Sequence, residues 1–175
     1  MTENAKLTEK IERLKRIALF KAFGDDRKAM EKIARLFTTL SVPRDKAVIC
    51  EGEEGQELYV IKSGTVLIEK STMQGDSYTV IELSADQNVF FGEIALLDPD
   101  KRSATVVCKT DCEFYVLRRE NFLKLGDENP HIGLHITREL TRIVCNRIRK
   151  ANTDIITLFD ALVEEMAESE GMAEG

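Results

Sequence analysis

From Leu7 to Phe37 the apolar residues fall at threes and fours: Leu7, Ile11, Leu14 and Ala18, then Met30, Ile33, Ala34 and Phe37. This is the spacing of one helical face, and Gly24-Asp25-Asp26 predicts a break into two helices. After Thr38 the pattern shortens. Runs rich in Val, Ile, Tyr and Phe alternate with turn clusters at Pro43-Arg44-Asp45, Glu51 to Gly55, Ser63-Gly64, Gln74-Gly75-Asp76 and Asp98-Pro99-Asp100. About eight short strands, reaching as far as Phe122, are therefore expected in an all-β sandwich or barrel.

A third region opens at Asn129-Pro130, where Asn suits an N-cap and Pro the first helical position. It predicts one long helix to about Met166. Its apolar positions Ile136, Leu140, Val144, Ile148, Ile155, Phe159, Leu162 and Met166 form a stripe longer than a small β-domain can cover. The surplus predicts a partner helix from a second copy, a homodimer. The final ESEGMAEG is acidic and rich in small residues, and is expected to be disordered. The organisation predicted is N-terminal helices over 1–37, a β-region over 38–128, the long helix over 129–167 and the tail over 168–175.

Composition narrows the function classes. At 175 residues and 43% hydrophobic the chain suits one domain with extensions. No apolar run is long enough to span a membrane, and MTENAKLTEKIERLKR lacks the apolar core of a signal peptide, so a cytoplasmic chain without a membrane partner is expected. Cys50, Cys108, Cys112 and Cys145 lie in or beside apolar runs without metal-ribbon or redox-pair spacing, which predicts reduced core thiols. The net charge of −6 is uneven: +4 over residues 1–40, −7 over 41–130 and −3 over 131–175. Such a surface repels a nucleic-acid backbone.

Residues 90–106, FFGEIALLDPDKRSATV, carry the candidate chemistry. Gly92 before a short helix permits close approach of a ligand to the backbone. The first amides of that helix, at Glu93, Ile94 and Ala95, point donors and a positive dipole end outward. Arg102 adds a planar fork that matches two phosphate oxygens, Ser103 a hydroxyl, and Ala104 a slim backbone. Glu93 does not suit a phosphate, but an ionised carboxylate accepts a hydrogen bond from a sugar hydroxyl. Phosphate on Arg102 and ribose on Glu93 together describe a nucleotide. The plain alternative is a buried Glu93–Arg102 salt bridge with nothing between.

EGEEGQELYVIKSGTVLIEK followed by FFGEIALLDPDKRSATVVC resembles the cyclic-nucleotide-binding domain shared by catabolite-activator regulators, the regulatory subunits of cyclic-AMP-dependent kinase and cyclic-nucleotide-gated channels. The likeness runs from about Leu19 to Asn152. It implies a mainly β fold with flanking helices: an eight-stranded jelly-roll-like β-roll, N-terminal helices and a long C-terminal helix. It also implies that Gly92 to Leu97 form a phosphate-binding cassette, that Arg102 grips the cyclic phosphate, and that Glu93 accepts the ribose 2′-hydroxyl. Ser103, as in the bacterial regulators, points to cyclic AMP rather than cyclic GMP. Ile68, inward with Val66 by strand alternation, is expected either to wall the base or to be ordinary core. From the likeness of NRIRKANTD to those regulators, Arg147 is expected near the ribose carboxylate and Asn152 at the base edge.

Three departures from the pattern stand out. The turn LSADQNVFFGE lacks the usual glycine, so Asn88 is expected to take a φ > 0 position. The same turn is longer than usual by one or two residues. The acidic tail leaves no room for a winged helix-turn-helix, so no DNA binding is expected.

Of the other candidates, His131 and His135 stand four apart but lack a third ligand, so no metal and no cofactor are expected. No Ser/His/Asp set, P-loop or Cys–His pair suggests an enzyme. Two functions remain. One is a stand-alone cyclic-nucleotide sensor that signals through its last helix to a separate, unidentified protein. The other is a degenerate roll kept as a dimerisation scaffold. A scaffold has no need of a buried arginine without its anion, which favours the sensor.

Overall fold

The computed structural model describes residues 3–72, 74–98 and 100–173. The chain divides into two compact units, residues 1–139 and 140–175. The first holds helix α1 (Glu3–Leu14), a 3₁₀ segment (Ala18–Phe23), α2 (Arg27–Arg35) and eight strands. The strands are β1 (Thr38–Val42), β2 (Ala47–Ile49), β3 (Glu57–Ser63), β4 (Thr65–Ser71), β5 (Ser77–Ser84), β6 (Phe90–Phe91), β7 (Thr105–Cys108) and β8 (Cys112–Arg118). Between β6 and β7 sits the one-turn helix α3 (Ile94–Leu97), and α4 (Arg119–Glu128) leads into α5 (Pro130–Ala173).

The strands pair antiparallel in two four-stranded sheets, β1-β8-β3-β6 and β2-β7-β4-β5, the eight-stranded roll expected from the sequence. Their facing sides enclose one core: Tyr59 and Ile61 of β3, Val66 of β4, Phe91 of β6, Val106 and Cys108 of β7, and Cys112, Phe114 and Val116 of β8. The alternate residues of β3 and β8, among them Leu58, Val60, Tyr115 and Leu117, are buried as well. Strands β3 and β8 are therefore covered on both faces, which is why YVI and FYVL read as continuous apolar runs. Lys10 of α1 lies 5.5 Å over the Tyr115 ring and shows what covers that outer face. Cys108 and Cys112 are core thiols as expected, and Cys50 and Cys145 are free and half-buried. Burial, with Cys112 alongside, pushes the Cys108 thiol up to about 12.

The helices depart from expectation in three places. α1 ends at Leu14 instead of reaching Gly24, because Ile17 is extended and the chain re-enters as a 3₁₀ turn that buries Leu19, Phe20 and Phe23. The second helix starts where Asp26 caps it, its carboxylate accepting from the Ala29 amide at 3.0 Å. Phe122, expected at the end of the strands, belongs instead to α4, where Phe122 and Leu125 are buried three apart. Gly126 obscures that helix in the sequence; it packs against Gly133 of α5, which must be glycine because a Cβ there would lie 2.6 Å from the Gly126 Cα.

α5 begins at Pro130 as expected but continues to Ala173, through six of the residues expected to be a disordered tail. Ala, Glu and Met dominate that stretch and are strong helix formers. Residues 174–175 of the tail, and Pro99 of the expected 98–100 turn, lie outside the described residues. Within the second unit Ile148, Ile155, Phe159, Leu162 and Met166 are exposed. His131 and His135 pack by ring contacts against Phe23, at 6.3 and 5.8 Å. Among the described residues no group of three or more His, Cys, Asp or Glu could hold a metal, and no helix is long and apolar enough to cross a membrane.

Arg13 ties α1 to the segment that leads into β6. Arg13 donates through Nη1 to Asn88 Oδ1 at 2.9 Å and through Nη2 to the Ile61 carbonyl at 2.7 Å and the Ala85 carbonyl. Asn88 sits at φ 53, the left-handed position expected of it, two residues before β6. We expect Arg13→Ala to destabilise the fold by about 2–4 kcal/mol, because charge-assisted bonds contribute roughly 1.5–3 kcal/mol and their carbonyls are left unpaired. Urea denaturation measures this. A change below about 0.5 kcal/mol, the range of featureless surface substitutions, would show that the contact carries no load.

Candidate functional site

Gly92, Glu93 and Arg102 lie at the end of the roll where β6 gives way to α3. Phe90 and Phe91 pair with Val60 and Tyr59 of β3, and the chain then turns at Gly92 with φ 75. A Cβ there would stand 2.7 Å from the Glu57 carbonyl and 2.9 Å from Arg102 Nη1, so only glycine fits. Glu93 follows as the residue preceding α3 and is 2% exposed. In α3, Ala95 and Leu96 are buried, which anchors the turn, while Ile94 is exposed.

Arg102 is held from the other side by the loop before β3. Its amide donates to the Glu53 carbonyl at 2.8 Å and its carbonyl accepts from the Gly52 amide at 2.9 Å. The guanidinium lies against Gly55, where a Cβ would fall 2.0 Å from Nε. Nη1 donates to the Glu57 carbonyl at 2.9 Å and Nη2 to Glu57 Oε2 at 3.1 Å. Its Cζ stands 5.9 Å over the Tyr59 ring, which is stacked on Phe91 at 5.3 Å. Burial, with Glu57 beside it, raises the Tyr59 phenol above its ordinary range, and Arg102 pulls it partly back.

Glu93 and Arg102, the latter 8% exposed, are the buried charged residues among those described. Burying a charge is costly unless it is paired, and a fold seldom keeps two without a use. Ser103 is exposed and Ala104 half-buried in the bend directly before β7. Ile68 is half-buried and packs on the roll core, whereas Val66 is fully buried. Arg147 and Asn152 lie on α5 within the second unit, both exposed.

Sequence reasoning missed Glu57 and Tyr59, which both contact Arg102. Glu57 is the acid that pairs with Arg102, so the inference that a buried arginine here has no anion within the chain does not hold.

Such an arrangement offers a fork for a phosphate, backbone amides at the start of a turn, and a sunken carboxylate for a hydroxyl. Residues 39–129 match the family described as the cyclic nucleotide-binding domain. The chain is 31% identical over 113 residues to the cyclic AMP receptor protein of Thermus thermophilus, covering 65% of this chain and 50% of that protein. It is 37% identical over 94 residues to the cAMP-dependent protein kinase regulatory subunit of Yarrowia lipolytica, covering 54% of this chain and 24% of the relative. The chain thus spans about half or less of the length of these curated relatives. Among solved structures, a cyclic nucleotide-binding domain from Methylobacillus flagellatus superposes with a TM-score of 0.72 at 25% identity, over 87% of this chain and 83% of that one. With the eight-stranded roll, the Gly92 turn and the buried arginine in place, the chain belongs to the cyclic nucleotide-binding domain family.

Proposed function

We propose that this chain is a cyclic-AMP sensor, with cyclic GMP the less favoured ligand, and that it passes binding on to a separate protein through α5. The observation that carries the reading is the burial of Glu93 and Arg102 on the two sides of the Gly92 turn. In this reading Arg102 takes the cyclic phosphate, aided by the amides of Ile94 and Ala95 and by Ser103 and Ala104, and Glu93 takes the ribose hydroxyl. Ile68 walls the base, and Arg147 and Asn152 serve as a lid. The acidic charge of residues 41–130 argues against a nucleic-acid partner. The role proposed is recognition without chemistry, in keeping with relatives whose names describe receptors and regulatory subunits.

One observation favours a second reading, a roll that acts as a scaffold. Glu57 already neutralises Arg102, so the arginine is tolerable without any ligand. Isothermal calorimetry decides between the two. We expect cyclic AMP to bind with micromolar or tighter affinity, and a hundredfold excess over Kd to stabilise the fold by about 2.7 kcal/mol. Arg102→Ala should cost roughly 2–5 kcal/mol of binding and Glu93→Ala roughly 1.5–3 kcal/mol. Asn152→Ala should weaken binding severalfold, and an unchanged Kd would remove the lid from the account. No heat and no thermal shift with either cyclic nucleotide would leave the scaffold.

We further propose a parallel homodimer through the exposed stripe of α5. Lysine at Ile148 and Ile155 places charge in that seam and should give monomers. A wild-type protein that sediments as a monomer at about 50 µM, ample for an interface of standard size, would contradict the dimer.

A further inference from the structure

Arg102 is not the only charged member of its corner. Glu57 Oε2 accepts from Arg102 Nη2 at 3.1 Å and from the Gln56 amide at 3.0 Å. Orientation of the guanidinium does not need this carboxylate. The Glu57 backbone carbonyl, the flat contact with Gly55 and the Tyr59 ring already fix the plane.

The carboxylate therefore contributes mainly charge. A cyclic phosphodiester brings one negative charge to a corner that already holds Glu57 and Glu93 against a single arginine. Both bidentate faces of a guanidinium include Nη2, the nitrogen that Glu57 engages.

The surroundings offer Glu57 another partner. Arg118 of β8 stands directly opposite Glu57 in the β3–β8 ladder. Its nearest acid, Glu120, is 3.8 Å away at the margin of an ion pair, and its side chain is 65% exposed. A hollow of about 370 Å³ lies beside these residues, lined by Glu54, Gly55, Gln56, Glu57, Arg118 and Glu120. The Glu57 side chain is itself 31% exposed, which leaves it free to turn.

We infer that Glu57 is a resident counter-anion of the phosphate arginine, which the ligand displaces towards Arg118. This inference rests on the cyclic-nucleotide reading proposed above. Binding is then an exchange of anions. Arg102 passes from the carboxylate to the phosphate, and the carboxylate passes to the cation across the ladder. Glu57 makes the buried arginine tolerable without ligand and raises the ligand concentration at which the sensor responds.

Calorimetry with cyclic AMP on wild type, Glu57→Gln, Arg118→Gln and the double variant tests this. Gln keeps an acceptor for Nη2 and removes the competing charge. We expect Glu57→Gln to bind cyclic AMP at least about fivefold more tightly, about 1 kcal/mol. The gain should shrink as salt rises, since it is a charge effect on a partly exposed group. Arg118→Gln should weaken binding about threefold or more in wild type and have no effect in the Glu57→Gln background, a coupling that simple damage to the fold would not produce.

If wild type binds but Glu57→Gln binds equally or less tightly, Glu57 supports Arg102 and the exchange is wrong, while the sensor reading stands. If Glu57→Gln fails to fold, the surface variant Arg118→Gln decides alone, and unchanged affinity there overturns the exchange. Absence of binding in wild type and all variants overturns both.

Discussion

Everything at this site follows from holding a permanently charged guanidinium at 8% exposure. An isolated buried charge costs many kcal/mol, so each neighbour of Arg102 must lower that cost or make room. Gly55 and Gly92 make room, since a Cβ on either would overlap the guanidinium. The Glu57 carbonyl and carboxylate supply acceptors, and the Tyr59 ring offers a π face. The bonds from the amides of Arg102 and Gly52 fasten the segment to the loop before β3, so the arginine cannot leave without opening that loop.

The rest of the roll is built to keep these parts in register. Tyr59, Phe91 and Phe114 pack as a stack and two edge contacts, so the ring beneath Arg102 is fixed by the centre of the core. Strand β6 is only two residues long and could not hold the Gly92 turn by ladder bonds alone. Support comes from upstream, where the Ser84–Gln87 capping box closes a 3₁₀ turn and Arg13 grips Asn88. The first helix thus bears on the cassette through one side chain.

Legibility in the sequence tracked the range of the interactions. The roll was readable because its turns are local: Gly52, Gly64 and Gly75 all take φ > 0, and Asn88 does the same where a glycine is missing. Gly92, Glu93 and Arg102 were readable because their types are chemically odd beside apolar runs. Glu57 was not, since a glutamate shortly after three other acids in EGEEGQELY looks like solvated surface until pairing brings it to Arg102. The end of α1 was hidden for a similar reason. Tertiary burial of Leu19, Phe20 and Phe23 overrides a periodicity that would have carried the helix on. At α5 local propensity prevails, and a stretch whose acidic, small-residue composition suggests disorder is helical to Ala173.

The central claim is that the cassette and Arg102 form a single anion site shared between a protein carboxylate and a cyclic phosphate. A crystal structure of the protein with cyclic AMP tests it most directly. The account predicts the phosphate on the Arg102 fork beside the amides of Ile94 and Ala95, the ribose 2′-hydroxyl on Glu93, and the Glu57 carboxylate turned away from Nη2. A nucleotide bound elsewhere on the chain, with the Arg102–Glu57 pair still closed, would contradict it.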